Sequence, residues 1–130
     1  MSRRYIPDSL RQLVAKRANY CCEYCLLNDI DAFYPFQIDH IISLKHGGET
    51  VPENLAYSCF TCNNQKGSDI GTVLLPNRQL IRLFNPRLDK WEAHFDMENF
   101  VIYALTDIGE ATVKLLKLNE VERIIERQAI

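Results

Sequence analysis

Asp39 and His40 stand side by side at the end of an apolar run, within the stretch FQIDHIISLKHGGETVPENLAYSCFTCNNQKG that spans residues 36–67. Imidazole titrates nearest neutral pH, so His40 suits the removal of a proton from water. On a strand, neighbouring side chains point to opposite faces, so Asp39 can hold a hard cation while His40 faces a nucleophile. Asn63 offers an amide oxygen to the same kind of ion. Mg²⁺ prefers oxygen ligands and keeps several waters, which leaves positions for phosphate oxygens. Such an ion would stabilise the charge developing on a phosphate and its leaving oxygen, with His40 activating water.

A second chemistry lies in the cysteines. Four of the five form two Cys-x2-Cys pairs, Cys22 with Cys25 and Cys59 with Cys62. Together they can supply four thiolates to a tetrahedral Zn²⁺, and thiolate softness favours zinc over Mg²⁺. A closed four-thiolate site has no open coordination position, so this zinc is expected to be structural and to contribute directly to folding. The long loop between the pairs contains Asp39 and His40. Cys21 is the cysteine left over, read as a buried or neutral neighbour.

Several elements must position these residues. The periodicity of SLRQLVAKRANY predicts an amphipathic helix, with Asp8 as N-cap and Arg11, Lys16 and Arg17 on its polar face. Those charges are either a solvated face or phosphate contacts. CCEYCLL reads as a tight knuckle. Phe36, Ile38 and Ile41 suggest a short strand, Gly47-Gly48 a turn, residues 52–55 a helical turn and Ala56-Tyr57-Ser58 the return strand. CNNQKGSD reads as a helix ending near Gly67 or Gly71. Strand, strand, helix around a metal is the implied unit. Further on, VLLP and LIRLF form a hairpin across Pro76-Asn77. Asp89 is expected to cap a helix through KWEAHF, NFVIYALT to be a strand, and IGEATVKLLKL and NEVERIIERQAI to be helices.

The bulk numbers bound the class. A chain of 130 residues with 47% hydrophobic and 25% charged residues reads as an ordinary globular protein of one domain, with or without an appendage. No apolar run approaches a membrane span and MSRRYIPDSL lacks a signal-peptide core, so no membrane association and a cytoplasmic location are expected. The net charge of −2 argues against bulk attraction to nucleic acid, although the acidic excess sits in residues 91–130, away from the motif.

Over about residues 20–70, the order CxxC…DH…N…CxxCN resembles the HNH endonuclease family, whose ββα-metal fold cleaves nucleic-acid phosphodiesters. The resemblance implies that Asp39 ligates the catalytic metal and His40 is the general base. Asn54, in ENLA, matches the family's middle Asn, which fixes the loop and orients the base. Asn63 stands where the family's closing His follows the second cysteine pair, so the chain resembles the HNN variant, in which that position supplies a metal-binding amide. An amide in place of imidazole shifts metal preference toward Mg²⁺ or Mn²⁺. Lys66 matches a family lysine expected at phosphate, with Lys45 and Arg17 as further nucleic-acid contacts.

The expected fold is therefore α+β: a zinc-stapled ββα-metal core over residues 1–70 with an N-terminal helix, and a C-terminal α/β extension over residues 71–130 packed on it. DNA is the expected partner, with RNA, a homodimer or a protein partner left open, because a lone chain of this charge would bind weakly and in a salt-sensitive way. The rival reading is a non-catalytic zinc module that binds nucleic acid or protein. It needs the four cysteines but not Asp39, His40 and Asn63 together. A third is a toxin or defence effector that depends on a partner. His46 is expected in a turn, Trp91 in the core and His94 at the surface. Arg78, Arg82 and Arg87 either track a phosphate backbone or form a solvated hairpin face.

Overall fold

The computed structural model describes residues 5–129; residues 1–4 and 130, which the readings of the N-terminal stretch and the terminal helix included, lie outside it. Helix α1 spans Asp8–Arg17 and buries Val14 against the second strand of the motif. Pro7, not Asp8, occupies its N-cap position. Asp8 instead lies in the first turn, where its charge meets the positive end of the helix dipole, and accepts a hydrogen bond from Gln12 Nε2 at 2.9 Å. The helix stops short of the expected Ala18-Asn19-Tyr20 because Asn19 and Tyr20 adopt positive φ (54° and 61°), which helical backbone excludes.

The motif itself folds as expected. Strand β1 (Gln37–His40) pairs antiparallel with β2 (Leu55–Ser58), placing Asp39 opposite Ala56 and His40 opposite Leu55. Two 3-10 turns, Leu44–His46 and Pro52–Asn54, shape the loop between them. Helix α2 (Phe60–Lys66) follows directly and ends at Gly67.

Beyond it, β3 (Gly71–Leu74) and β4 (Gln79–Arg82) form the expected hairpin. The next region departs from expectation. Helix α3 is a single turn, Trp91–His94, and Phe95–Glu98 is a strand, β5, paired with β6 (Val101–Ala104). Phe95 is 2% exposed, and as an extended residue opposite Ala104 it is drawn into the core, a pull that outweighs the local helical tendency. Helices α4 (Asp107–Leu116) and α5 (Val121–Gln128) complete the chain. Thr106 caps α4, its hydroxyl accepting from Gly109 N at 3.0 Å. Gly109 is required there by space, since a Cβ would lie 2.3 Å from the His94 carbonyl. Helix α4 packs on β6, on the β3–β4 hairpin and on α2.

One apolar cluster joins the two halves. Cys22, Tyr24, Cys25, Leu27, Ile41, Ala56, Cys59 and Cys62 pack with Phe84, Phe95, Ile102, Leu116 and Leu118. Trp91 lies against this cluster and donates its indole N–H to the Tyr24 carbonyl at 2.9 Å. His94 is half-buried rather than at the surface, edge-on to Phe84 and bonded through Nδ1 to Thr106 Oγ1 at 2.7 Å.

Asp89 does not cap α3, whose N-cap is Lys90. Its carboxylate accepts both arms of the Arg82 guanidinium, at 2.8 and 2.9 Å, and the Asn85 amide at 2.9 Å. These bonds, the Arg82 fork first, hold its carboxyl below the ordinary 3.8. Stability from a depressed acid is complete above the unfolded-state pKa and is lost as pH falls through the folded-state value. Asp89→Asn should therefore cost about 1 kcal/mol in urea unfolding near neutral pH, and the gap from wild type should narrow as the pH falls below the ordinary carboxylate value.

Candidate functional site

The two cysteine pairs come from opposite ends of the motif and meet in the core. The Sγ atoms of Cys22, Cys25, Cys59 and Cys62 all lie within 4.8 Å of one another, and the four residues are at most 3% exposed. Cys25 Sγ and Cys59 Sγ are 3.7 Å apart. That is too long for a disulfide but close to the separation of about 3.8 Å expected of two sulfurs each about 2.3 Å from one tetrahedral ion. The donor set fits zinc. Each pair forms a knuckle in which the second cysteine's amide donates to the first cysteine's sulfur, Cys25 N to Cys22 Sγ at 3.5 Å and Cys62 N to Cys59 Sγ at 3.3 Å. The second of these bonds also caps α2. Burial pushes the Cys22 and Cys62 thiols well up, while sulfur contacts, Cys22 first, pull Cys25 well down and Cys59 down, so a bound cation is what would bring all four to the thiolate form. Cys21, half-buried, stays outside the cluster.

Arg123 of α5 enters this centre, with Nη2 2.8 Å from Cys62 Sγ and 3.8 Å from Cys59 Sγ. Burial lowers its pKa, but the sulfurs of Cys62, Cys25 and Cys59 outweigh burial and raise it. Sequence reasoning gave α5 as a terminal helix and assigned Arg123 no role; the hint was the four-residue spacing of Arg123 and Arg127, which puts them on one side of the helix.

Asp39 points inward from β1 and is 4% exposed. Tyr24 donates its hydroxyl to Oδ2 at 2.6 Å, and Lys66 places Nζ 3.3 Å from Oδ1. Burial raises the Asp39 carboxyl, against the opposing pull of the Lys66 ammonium and the Tyr24 bond. Lys66 is 1% exposed and also donates to the His40 carbonyl at 3.1 Å. Its ammonium thus bridges Asp39 and the end of β1. Tyr24 was missed as well, because a tyrosine between two knuckle cysteines carries no signal beyond packing.

His40, half-buried, bonds through Nε2 to Thr50 Oγ1 at 2.9 Å. Asn54 closes the loop between β1 and β2. Its Oδ1 accepts from Ile42 N, while Nδ2 donates to the Ile42 and Glu49 carbonyls, all at 2.9 Å. Gly48 makes this approach possible, since a Cβ there would lie 1.6 Å from the Ile42 carbonyl oxygen and 2.8 Å from Asn54 Nδ2. Asp39, His40, Lys45 and Asn63, with Ile38, Ser43, Leu44, Gly67 and Ser68, line one open cleft of about 320 Å³.

Arg17 is also committed internally. It donates to the Pro52 carbonyl at 3.1 Å and the Leu55 carbonyl at 2.7 Å, and so braces α1 on the start of β2. Arg87 takes the same Leu55 carbonyl at 3.1 Å and pairs with Glu23 of the first knuckle. Arg82 is likewise paired, with Asp89.

The Asp39–Lys66 pair is buried on both sides, so removing one partner strands the other charge. Lys66→Met should destabilise the chain by about 3 kcal/mol in urea unfolding. Adding Asp39→Asn should restore part of that loss, a double-mutant coupling of at least about 1 kcal/mol.

Residues 22–69 match the family model described as HNH endonuclease, a span that starts at the first zinc-spaced cysteine and ends just past α2. No curated protein and no solved structure matches the chain. The matched segment holds both the cysteine cluster and the Asp39–His40 cleft, and its four clustered cysteines are consistent with the zinc-knuckle variant of that family.

Proposed function

We propose that this protein is a metal-dependent endonuclease that hydrolyses DNA phosphodiester bonds in the cleft beside β1. The observation that carries the reading is the convergence of Asp39, His40, Asn63 and Lys45 on one cleft of an HNH domain. His40 is the base. The Thr50 hydroxyl fixes one edge of its ring, so the imidazole borders the cleft in a set orientation and can take a proton from water there. Asn54 acts at one remove. By tying Ile42 to Glu49 it holds the loop that carries Thr50 against the end of β1.

The donors fit a hard divalent cation. Each Asp39 oxygen accepts one bond and keeps lone-pair capacity, and the Asn63 side chain reaches the same cleft. Mg²⁺ or Mn²⁺ held by Asp39 and Asn63 would supply charge stabilisation at the scissile phosphate. Lys45, exposed at the cleft edge, can meet a flanking phosphate of the strand. The four-cysteine zinc is structural in this reading. So is the extension, which forms the floor under the cysteine cluster; residues 1–70 carry the chemistry and residues 71–130 support it.

A second reading, a non-catalytic zinc module that binds nucleic acid or protein, has one observation in its favour: Asp39 is already neutralised by Lys66. A plasmid-nicking assay with Mg²⁺ and with Mn²⁺ separates the two. Wild type should nick in a metal-dependent way, and His40→Ala with the same zinc content should be slower by about 10²-fold or more. Equal rates in both proteins would remove His40 from the reaction. Silence in both, with zinc retained, would favour the binding module.

A further inference from the structure

Helix α5 turns two arginines inward, leaving Arg123 5% and Arg127 8% exposed. A buried guanidinium is costly unless an anion compensates it. Among the described residues no carboxylate is within ion-pair distance of either. Arg123 spends Nη1 on the Leu116 and Lys117 carbonyls at 2.8 and 3.3 Å, and turns Nη2 to Cys62 Sγ and Cys59 Sγ. Arg127 lies one turn later on the same face. It donates Nε to the Phe100 carbonyl at 2.8 Å and Nη2 to Asn119 Oδ1 at 3.3 Å, while Nη1 is buried without a partner.

Carbonyl and amide oxygens satisfy hydrogen bonds but do not neutralise charge. The missing anion is in the cysteine cluster. Four thiolates around Zn²⁺ carry a net charge of −2, and two guanidiniums carry +2. We infer that Arg123 and Arg127 are the counter-charges of the zinc centre, so that α5 is docked by the loaded metal site. Arg123 acts by direct charge-assisted N–H···S bonds to the ligand sulfurs, and Arg127 through its charge from the next turn. Both are positioning residues, because neither reaches the cleft that holds Asp39 and His40. In the absence of the metal, the four sulfurs are no longer held in place, and α5 loses the anchor that Arg123 finds on Cys62 and Cys59. This inference rests on the zinc reading and goes beyond it by assigning the C-terminal helix to the metal centre.

The test uses the full zinc-loaded chain, with zinc content per chain measured first. Arg123→Met should weaken zinc retention against a chelator 10- to 100-fold, roughly the range for outer-shell partners of a metal site. Arg127→Met should weaken it less, and Arg123→Lys, which keeps the charge without the fork, should recover part of the loss. The Co²⁺-substituted Arg123→Met protein should also show a shifted thiolate-to-metal charge-transfer band. One zinc per chain in wild type with unchanged retention and spectrum in both Met variants would overturn the inference and leave the zinc site standing. Wild type without zinc would overturn both. Should Arg123→Met fail to fold, amide exchange of wild type decides. Stripping the metal should speed exchange in α5 at least tenfold more than in α1, and equal loss in the two helices would overturn the coupling.

Discussion

Four sulfurs held within 4.8 Å of one another in the middle of an apolar cluster set the terms for the rest of this protein. Two of them sit before β1 and two after β2, so bringing them together closes a loop of more than thirty residues around the β1–β2 hairpin. Closing a loop of that length opposes folding through lost chain entropy, and a metal ion holding all four ends offsets it in a single step. The register follows. With Cys22–Cys25 and Cys59–Cys62 fixed, β1 and α2 have little freedom in their relative placement. Asp39 on β1 and Asn63 on α2 consequently share one cleft.

The same geometry explains why Asp39 is buried and His40 is less so. Adjacent strand residues face opposite ways, and the face that Asp39 shares with the core is bounded by Tyr24 of the first knuckle and Lys66 of α2. A lone carboxylate there would be unstable. Two donors, one of them charged, keep it in place, and they reach it only because the knuckle and α2 are both anchored at the sulfurs. His40, on the other face, is oriented from the loop instead, by Thr50, with Asn54 and Gly48 setting the loop's path. The cleft thus has one wall fixed by the cysteine cluster and one by a backbone-bonded asparagine.

The parts legible in the sequence were those specified by short-range chemistry. The Cys-x2-Cys spacing, the Asp-His pair, the glycine turn and the Asn that ends a helical turn are each recognisable from a few adjacent residues. The α+β class and the elements around the motif followed from them. The β3–β4 hairpin was legible for the same reason, because Pro76-Asn77 separates two apolar runs. Charged side chains with long-range partners were not. Arg17, Arg82, Arg87 and Lys66 were each read as solvent-facing or phosphate-facing, and Arg123 was not singled out. In the fold they go to the Leu55 carbonyl, Asp89, Glu23, Asp39 and Cys62 respectively. A guanidinium on a long stem carries no periodic signature of what it will reach. Strand β5 was missed because FDME follows a sequence that reads as helical, and only its pairing with β6 makes it extended.

These long-range partners bear on how the chain divides. The 48 residues from 22 to 69 that match the HNH family are too few to bury a sufficient core alone. The structure shows where the remainder comes from. Phe84, Phe95, Ile102, Leu116 and Leu118, all beyond residue 70, complete the cluster that surrounds the cysteines. Arg87 braces the first knuckle from one side, and Arg123 meets the second from the other. Helix α4 packs on α2 and on both later hairpins. Mobility in residues 71–129 would therefore reach the metal cluster first and the Asp39 cleft through it. A segment without a catalytic motif of its own is thus positioned to set the rigidity of the segment that has one.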